Sequence, residues 1–516
     1  MRIVFMLAVI LTIAANAIQA GETPAQMARS QNARVQQSID TEMAKNNGHT
    51  GEQFGWQVNW FMGSIMRGCR AWPDDTWLEP TEKSLLKLAG TMEEGPDGYK
   101  GFIGPYIYNP TAYWVDVHVS DSILIKHMLE FAMIIKENPA LREKYGESAD
   151  LFTEIGKKHL IEKWEKRGTL VVDGPFAGYK EWDMFCKPDD IKGEWFREPN
   201  ARQGGAPMPC IPFNKAMDMA TCMLQIYYVT GEESYKDIAT KIHTRFKASL
   251  NRFNEYYTWN YWEPISMNDT LNPPRPPFGV VKHWVGTHPN RPYQHGELSN
   301  ILFAYNMGIV YTDDDMRRFV RTNLTAMWNG DKEAPKWANS DSRLPDQPAS
   351  ALNPSEAGTL WSVLAPFDAT ILELRERVLG ANDVIGRKEI ENIKAAGVGF
   401  KRKYAPDVVV EELPWSKDIG ENTGGQMFAV ALPSVVAEGE ETTILAKVIG
   451  AGGEVEILVR PAEGGELKSI GRARPGGGVI SSTKWDGKID GVRTPGEYVV
   501  IWRYNGGERS WPVILK

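Results

Sequence analysis

Three of the eight histidines fall between residues 283 and 295, at His283, His288 and His295, in a segment that also carries Arg291 and Tyr293. A neutral imidazole accepts a proton, a guanidinium pairs with an anion and a phenol donates a proton. His295 stands in Tyr293-Gln294-His295-Gly296-Glu297, immediately before an apolar stretch with helical spacing. The positive end of a helix disfavours imidazolium, so this position predicts a neutral His295 that can act as a base. His118 and Asn214 stand in the same relation to two earlier apolar stretches. A His or Asn there also serves as a helix cap or a loop tether. The three late histidines lack the tight spacing of a zinc site, and no metal is expected from them.

Four segments gather the remaining ionisable and aromatic residues. The first runs from Tyr106 to His118 and contains Asp116. The second is Tyr179-Lys180-Glu181-Trp182-Asp183, with Arg197, Arg202 and Asn214. The third is Tyr257 to Glu263, with Trp259, Tyr261, Trp262 and Glu263, leading on to His295; the fourth is Trp337 to Arg343. Trp259 and Trp262 fit sugar stacking because a carboxylate accompanies them in a polar loop, although aromatics at such spacing also pack cores.

These loops must be held by something, and helix pairs supply it. An apolar helix, a short acidic turn and a second amphipathic helix run from Asn214 through Thr230-Gly231-Glu232-Glu233 to about Leu250. The design repeats from Glu297 through Thr312-Asp313-Asp314-Asp315 to Trp328, and from Asp121 through Glu137-Asn138-Pro139 to Trp164. Met217, Ala220, Met223, Leu224 and Tyr227 show the required i, i+3, i+4 spacing. Further pairs read from Trp56 to Ala89, broken at Pro73, and from Thr359 to Ala395, broken at Gly380-Ala381-Asn382. The polar residues 21–50 form a lead-in or a first helix. Asp313 to Asp315 fit a helix cap and first-turn charges better than a calcium loop. Helix pairs joined by long, chemically rich loops predict a multidomain, mainly α chain built on an (α/α) toroid, with an open solenoid as the alternative. A ring puts the short turns on one rim and the long loops on the other.

Past the helices the composition changes. Residues 396–430 read as a linker that starts strand-like at Asp407 to Glu412. From Ala431, runs such as Thr442 to Val448, Glu454 to Val459 and Glu497 to Tyr504 alternate apolar and polar residues between Gly-rich turns. That pattern is a small β-sandwich spanning 431–516, with a core separate from that of residues 21–395. Trp485-Asp486-Gly487 followed by Pro495-Gly496-Glu497-Tyr498 resembles the end of small bacterial immunoglobulin-like modules, which implies a fold and no activity.

Pro212-Phe213-Asn214, Thr230 to Tyr235 and Trp259-Asn260-Tyr261-Trp262-Glu263-Pro264 resemble toroid domains of secreted bacterial carbohydrate-active proteins, including polysaccharide lyases and uronate-processing enzymes. The likeness covers about residues 100–370 and is one of organisation. It implies a site in the cleft between inner-helix ends and long loops, and no single family's catalytic motif carries residues across.

Residues 1–20 read as an export signal: Arg2, an apolar core from Ile3 to Ala14 too short to span, and small residues at Ala15-Asn16-Ala17 or Ile18-Gln19-Ala20. The expected location is secreted or periplasmic, with no later membrane span. The chain has 516 residues and a net charge of −8 with both signs interspersed, which disfavours nucleic acid but leaves room for a local basic cleft. Export permits disulfides among Cys69, Cys186, Cys210 and Cys222; Cys186 and Cys210 flank one loop and could staple it, while Cys222 reads as a buried thiol.

The leading expectation is therefore a lyase that cleaves a uronate polysaccharide by β-elimination, with no cofactor. Asn214 and Arg291 would neutralise the carboxylate, His295 would take the C5 proton with His118 as substitute, and Tyr261 would protonate the leaving oxygen. Trp259, Trp262, Tyr293, Glu263, Asp116 and Asp183 would contact the chain. A glycoside hydrolase would instead draw two carboxylates from Asp116, Asp183, Glu263 and Glu297, with neighbouring aromatics raising the acid's pKa. A C5-epimerase would use the lyase residues, and a carbohydrate-binding protein would use none of them catalytically.

Overall fold

The computed structural model describes residues 22–516 except 108, 181–182, 198–210, 254, 260–290, 338–357, 381, 414–425, 450–452, 476–479 and 505–506. The signal segment, Tyr261, Trp262, Glu263, His283, His288, Arg202 and Cys210 lie outside the described residues, as do the side chains of Arg291 and Tyr293.

The chain mixes helix and sheet. Helices α1 (Pro24–Lys45), α2 (Glu52–Ala71) and α3 (Asp75–Ala89) come first. They are followed by α4 (His118–Glu137) and α5 (Arg142–Glu154), which continues through π-helical turns to a last turn at Lys163–Lys166. Next come α6 (Phe213–Thr230), α7 (Glu233–Ala248), α8 (Arg291–Asn306), α9 (Asp313–Arg321), α10 (Ala369–Val378) and α11 (Val384–Ala396). The turns follow local chemistry. Gly231 takes φ 79° to end α6, and Thr312 and Asp315 form a reciprocal capping box at α9. Residues 21–50 supply a true first helix, capped by Thr23.

Four of these helices, α2, α4, α6 and α8, run parallel as consecutive neighbours. Near their starts, α2 and α4 approach so closely that a Cβ on Gly55 would lie 2.7 Å from Ser120 Oγ. Near their ends Arg70 contacts Glu130. The Cys222 thiol donates to the Ser122 carbonyl at 3.6 Å and Gln225 Nε2 to the Lys126 carbonyl at 3.2 Å, which ties α6 to α4. Thr221 Oγ1 donates to Asn300 Oδ1 at 2.8 Å, while Tyr404 packs on both Tyr228 and Phe303 at the other end, which ties α8 to α6. The partner helices α3, α5 and α7 cover these through one continuous apolar core. α11 meets α2 through Arg67 and Glu389.

A second core belongs to the C-terminal strands. Strands β5 (Gln426–Leu432), β7 (Thr442–Ile449) and β10 (Ile480–Trp485) form one antiparallel sheet. The other orders β6 (Val435–Val436), β12 (Gly507–Leu515), β11 (Gly496–Tyr504), β8 (Val455–Pro461) and β9 (Lys468–Ala473). The first strand of this core begins at Gln426, inside the expected linker, and Asp407–Glu412 is not a strand. The two cores are not independent. Hairpin β2 (Leu170–Asp173) and β3 (Phe176–Tyr179) sends Phe176 into the sandwich core, 4.3 Å from Trp511 by ring centroids, and Ala248 joins it. Buried Arg509 donates to the carbonyls of Ala248, Ser249 and Leu250 at the end of α7, where a cation complements the helix dipole.

Cys69, Cys186 and Cys222 are buried free thiols, and the expected Cys186–Cys210 staple involves Cys210, which lies outside the described residues. Among the described residues no helix is long and apolar enough to cross a membrane.

Candidate active site

Late in α2, Arg67 faces α11. Its Nε and Nη2 donate to the two oxygens of Glu389 at 2.9 and 2.8 Å, and Arg375 of α10 shares the same carboxylate. Burial would push Glu389 up, but Arg67, Arg375 and Arg70 hold it below the usual glutamate range. The charges of this set act on His295. It is the fifth residue of α8, not the residue before the helix, and it is half-buried. Burial first, then the Arg67 and Arg375 charges, pull its pKa down to about 4 against the partial opposition of Glu389. The imidazole is therefore neutral because of its surroundings and not because of a helix terminus.

A second group collects where α4 and α6 begin. His118 is the first residue of α4 and Asn214 the second of α6; their caps are Val117 and Pro212, and neither helix has a side-chain cap bond. Capping thus does not account for either residue. His118 Nδ1 lies 3.7 Å from Asp183 Oδ1, too long for a hydrogen bond, with its ring against Trp164 and Tyr179. The Ile211 N–H donates to the Tyr179 carbonyl at 3.4 Å, which brings the start of α6 onto β3. Among the described residues, His118 Nε2, Tyr179 Oη, Asp183 Oδ1 and Asn214 Oδ1 are buried without a hydrogen-bond partner. Burial also pushes the Tyr179 phenol up. An unmade bond of this kind costs about 1–3 kcal/mol, so these side chains are the polar groups here with hydrogen-bonding capacity to spare.

Three sequence candidates have different surroundings from those expected. Asp116, expected to touch substrate or act as a raised-pKa acid, is fully buried in β1 (Trp114–Asp116). Lys163 Nζ lies 3.0 Å and Arg167 Nη1 2.9 Å from it, and both overcome the effect of burial to hold its pKa low. Lys163 also lies 2.6 Å from Asp121, which burial and the Asp116 charge raise to about 7. Trp259, expected to stack on sugar, is fully buried among Phe246, Phe319 and Trp361. Its Nε1 donates to Glu297 Oε2 at 2.8 Å. Glu297 is itself fully buried, and burial lifts it to about 8, with Asp218 adding to the shift. Asp218 is in turn held by Lys126 at 2.6 Å and Asn300 at 3.1 Å.

The structure thus brings His118, Asp183 and Tyr179 together beside the start of the Asn214 helix, and the charges of Arg67, Arg375 and Glu389 act on His295. Sequence reasoning passed over Arg67, Arg375 and Glu389 altogether, because Arg375 and Glu389 look like ordinary surface charges of amphipathic helices and Arg67 meets Glu389 only across 322 positions. No protein-family model matches the chain, and comparison with curated proteins finds no significant similarity.

Proposed function

We propose that this protein is an exported lyase that cleaves a uronate-containing polysaccharide by β-elimination, on a helix-pair toroid closed between α2 and α11. The observation that supports it best is a half-buried neutral imidazole, His295, subject to two guanidinium charges. Elimination needs a neutralised carboxylate, a base for the C5 proton and an acid for the leaving oxygen. Arg67 and Arg375 face the uronate carboxylate, and His295 takes the C5 proton. The released electron pair forms the C4–C5 double bond as the C4–O bond breaks, and Tyr261 is the candidate donor to the departing oxygen. A base of pKa about 4 is weak in the free protein. The substrate carboxylate offsets the two arginines and raises the imidazole's proton affinity once bound, so a neutral sugar fails to activate it. The acid limb of kcat/KM should lie near pH 4, and that of kcat should lie higher.

A hydrolase is the second reading, favoured by Glu297, a carboxylic acid still protonated near neutral pH with Oε1 lacking a partner. Incubation of the purified protein with polymannuronate, polyguluronate, polygalacturonate, polyglucuronate and neutral glucans separates the two. Ultraviolet absorbance from an unsaturated uronate supports elimination; new reducing ends without that absorbance replace it with hydrolysis.

A further inference from the structure

α2 carries two faces of opposite character. Phe54, Val58, Met62, Ile65, Met66 and Cys69 are completely buried. On the other side Trp56, Trp60, Gly63, Arg67 and Arg70 recur at four-, three-, four- and three-residue steps, one line along a helix. Trp60 is 53% exposed, and the Arg67 and Arg70 side chains are 38% and 47% exposed. A Cβ on Gly63 would meet nothing within 4 Å, so the line is open midway.

This line does not lie on the outer surface of the helical layer. α3 packs behind α2, where Gly68 sits against Trp77. α4 flanks it through Asn59 and His127 at 2.8 Å, and α11 through Arg67 and Glu389. Arg70 is nearly half exposed at the end of the line, where it meets Glu130. The arginines have counter-charges in Glu130, Glu389 and Asp383. His127, beside the line, has Glu130 at 4.0 Å and also feels the Lys126 and Arg70 charges.

We infer that the exposed face of α2 is a binding wall for an anionic oligosaccharide, with a sugar ring stacked on Trp60 and carboxylates received at Arg67 and Arg70. An indole supplies a flat apolar platform, and guanidiniums receive carboxylates bidentately. Trp60 and Arg67 are separated by about 10 Å along the axis, at 1.5 Å per residue. The stacked ring is therefore not the ring whose proton is lost beside Arg67, and the wall extends the site beyond the reacting sugar. This inference rests on the lyase reading for its substrate class.

The test measures binding and not turnover. His295→Ala protein, and the same protein with Trp60→Ala, Trp60→Phe or Arg70→Ala, are titrated by calorimetry with di- and tetrasaccharides of each uronate, and with cellotetraose. Expected is tighter binding of one uronate tetrasaccharide than of its disaccharide or of cellotetraose. Trp60→Ala should weaken the tetrasaccharide by roughly tenfold, as truncation of an aromatic anchor does, and Trp60→Phe should restore much of it. Arg70→Ala should weaken it less and flatten its salt dependence. Unchanged tetrasaccharide affinity in Trp60→Ala, or no uronate binding to the parent protein, overturns the wall. If the wall binds but the unmutated protein yields no unsaturated product, the lyase reading falls alone. If product forms while Trp60→Ala changes nothing, the wall falls alone.

Discussion

Two clusters of Asp or Glu with Lys or Arg sit in the helical part, and they differ in one physical respect. Around Asp116, Asp121, Lys163 and Arg167 the side chains are shut away from solvent, and the carboxylates are held on several sides. Asp121 also accepts from Trp164 Nε1 at 2.9 Å and from the Phe102 N–H at 3.3 Å. Around Arg67, Arg70, Arg375 and Glu389 the arginines remain partly exposed, and a neutral imidazole stands beside them. A closed, well-partnered cluster holds segments together and has no room for a substrate. An open one with surplus donors can receive an anion. The difference shows why a chemically attractive residue type, Asp116 in a loop rich in aromatics, is a poor guide until its partners are known.

The comparison can be broken first through stability. Lys163→Ala should leave Asp116 and Asp121 buried without their shared cation, at a cost of about 3–5 kcal/mol in denaturant unfolding. Arg67→Ala, at the open cluster, should cost far less, within about 1 kcal/mol. Equal losses would erase the distinction. Next, Arg509→Ala should destabilise by about 1–3 kcal/mol, since it strips donors from the buried end of α7. Deleting the sandwich should be worse, because Phe176 and Ala248 would lose their core. A truncation before Gln426 that unfolds as cooperatively as the full chain would show the two cores to be separable after all.

A pH-dependent effect concerns Glu297, a buried carboxyl with no paired cation among the described residues. Its folded pKa is raised from 4.5 to about 8, so its favourable contribution is complete below pH 4.5 and is lost as pH rises towards 8. Glu297→Gln should remove a slope of at most about 1.4 kcal/mol per pH unit across that window. An unchanged stability profile between those pH values would show that Glu297 ionises without strain.

What could be read in the chain followed the range over which each signal acts. The helix pairs were legible because apolar spacing and turn residues such as Gly231 and Thr312 act within a few residues. The sandwich strands were legible from their alternation, while Asp407–Glu412 shows the same alternation and is not a strand. The site was legible only in pieces. Arg67 and Glu389 meet across 322 positions, and Asp116 and Lys163 across 47, so neither pairing leaves a local trace. Trp259 carried the right chemistry for stacking, but Phe246, Phe319 and Trp361 enclose it. His295 lies inside α8 and not before it, so the helix terminus expected to act on it is replaced by burial as the main cause of its lowered pKa.

The central claim is that His295 removes the C5 proton, and initial rates of unsaturated-product formation test it most directly. On whichever polyuronate the protein cleaves, His295→Ala should lower kcat on the order of 10²–10⁴-fold while binding of the chain and thermal unfolding change little. Full activity in His295→Ala, together with its loss in Glu297→Gln, would contradict the account and move the chemistry to the buried carboxyl.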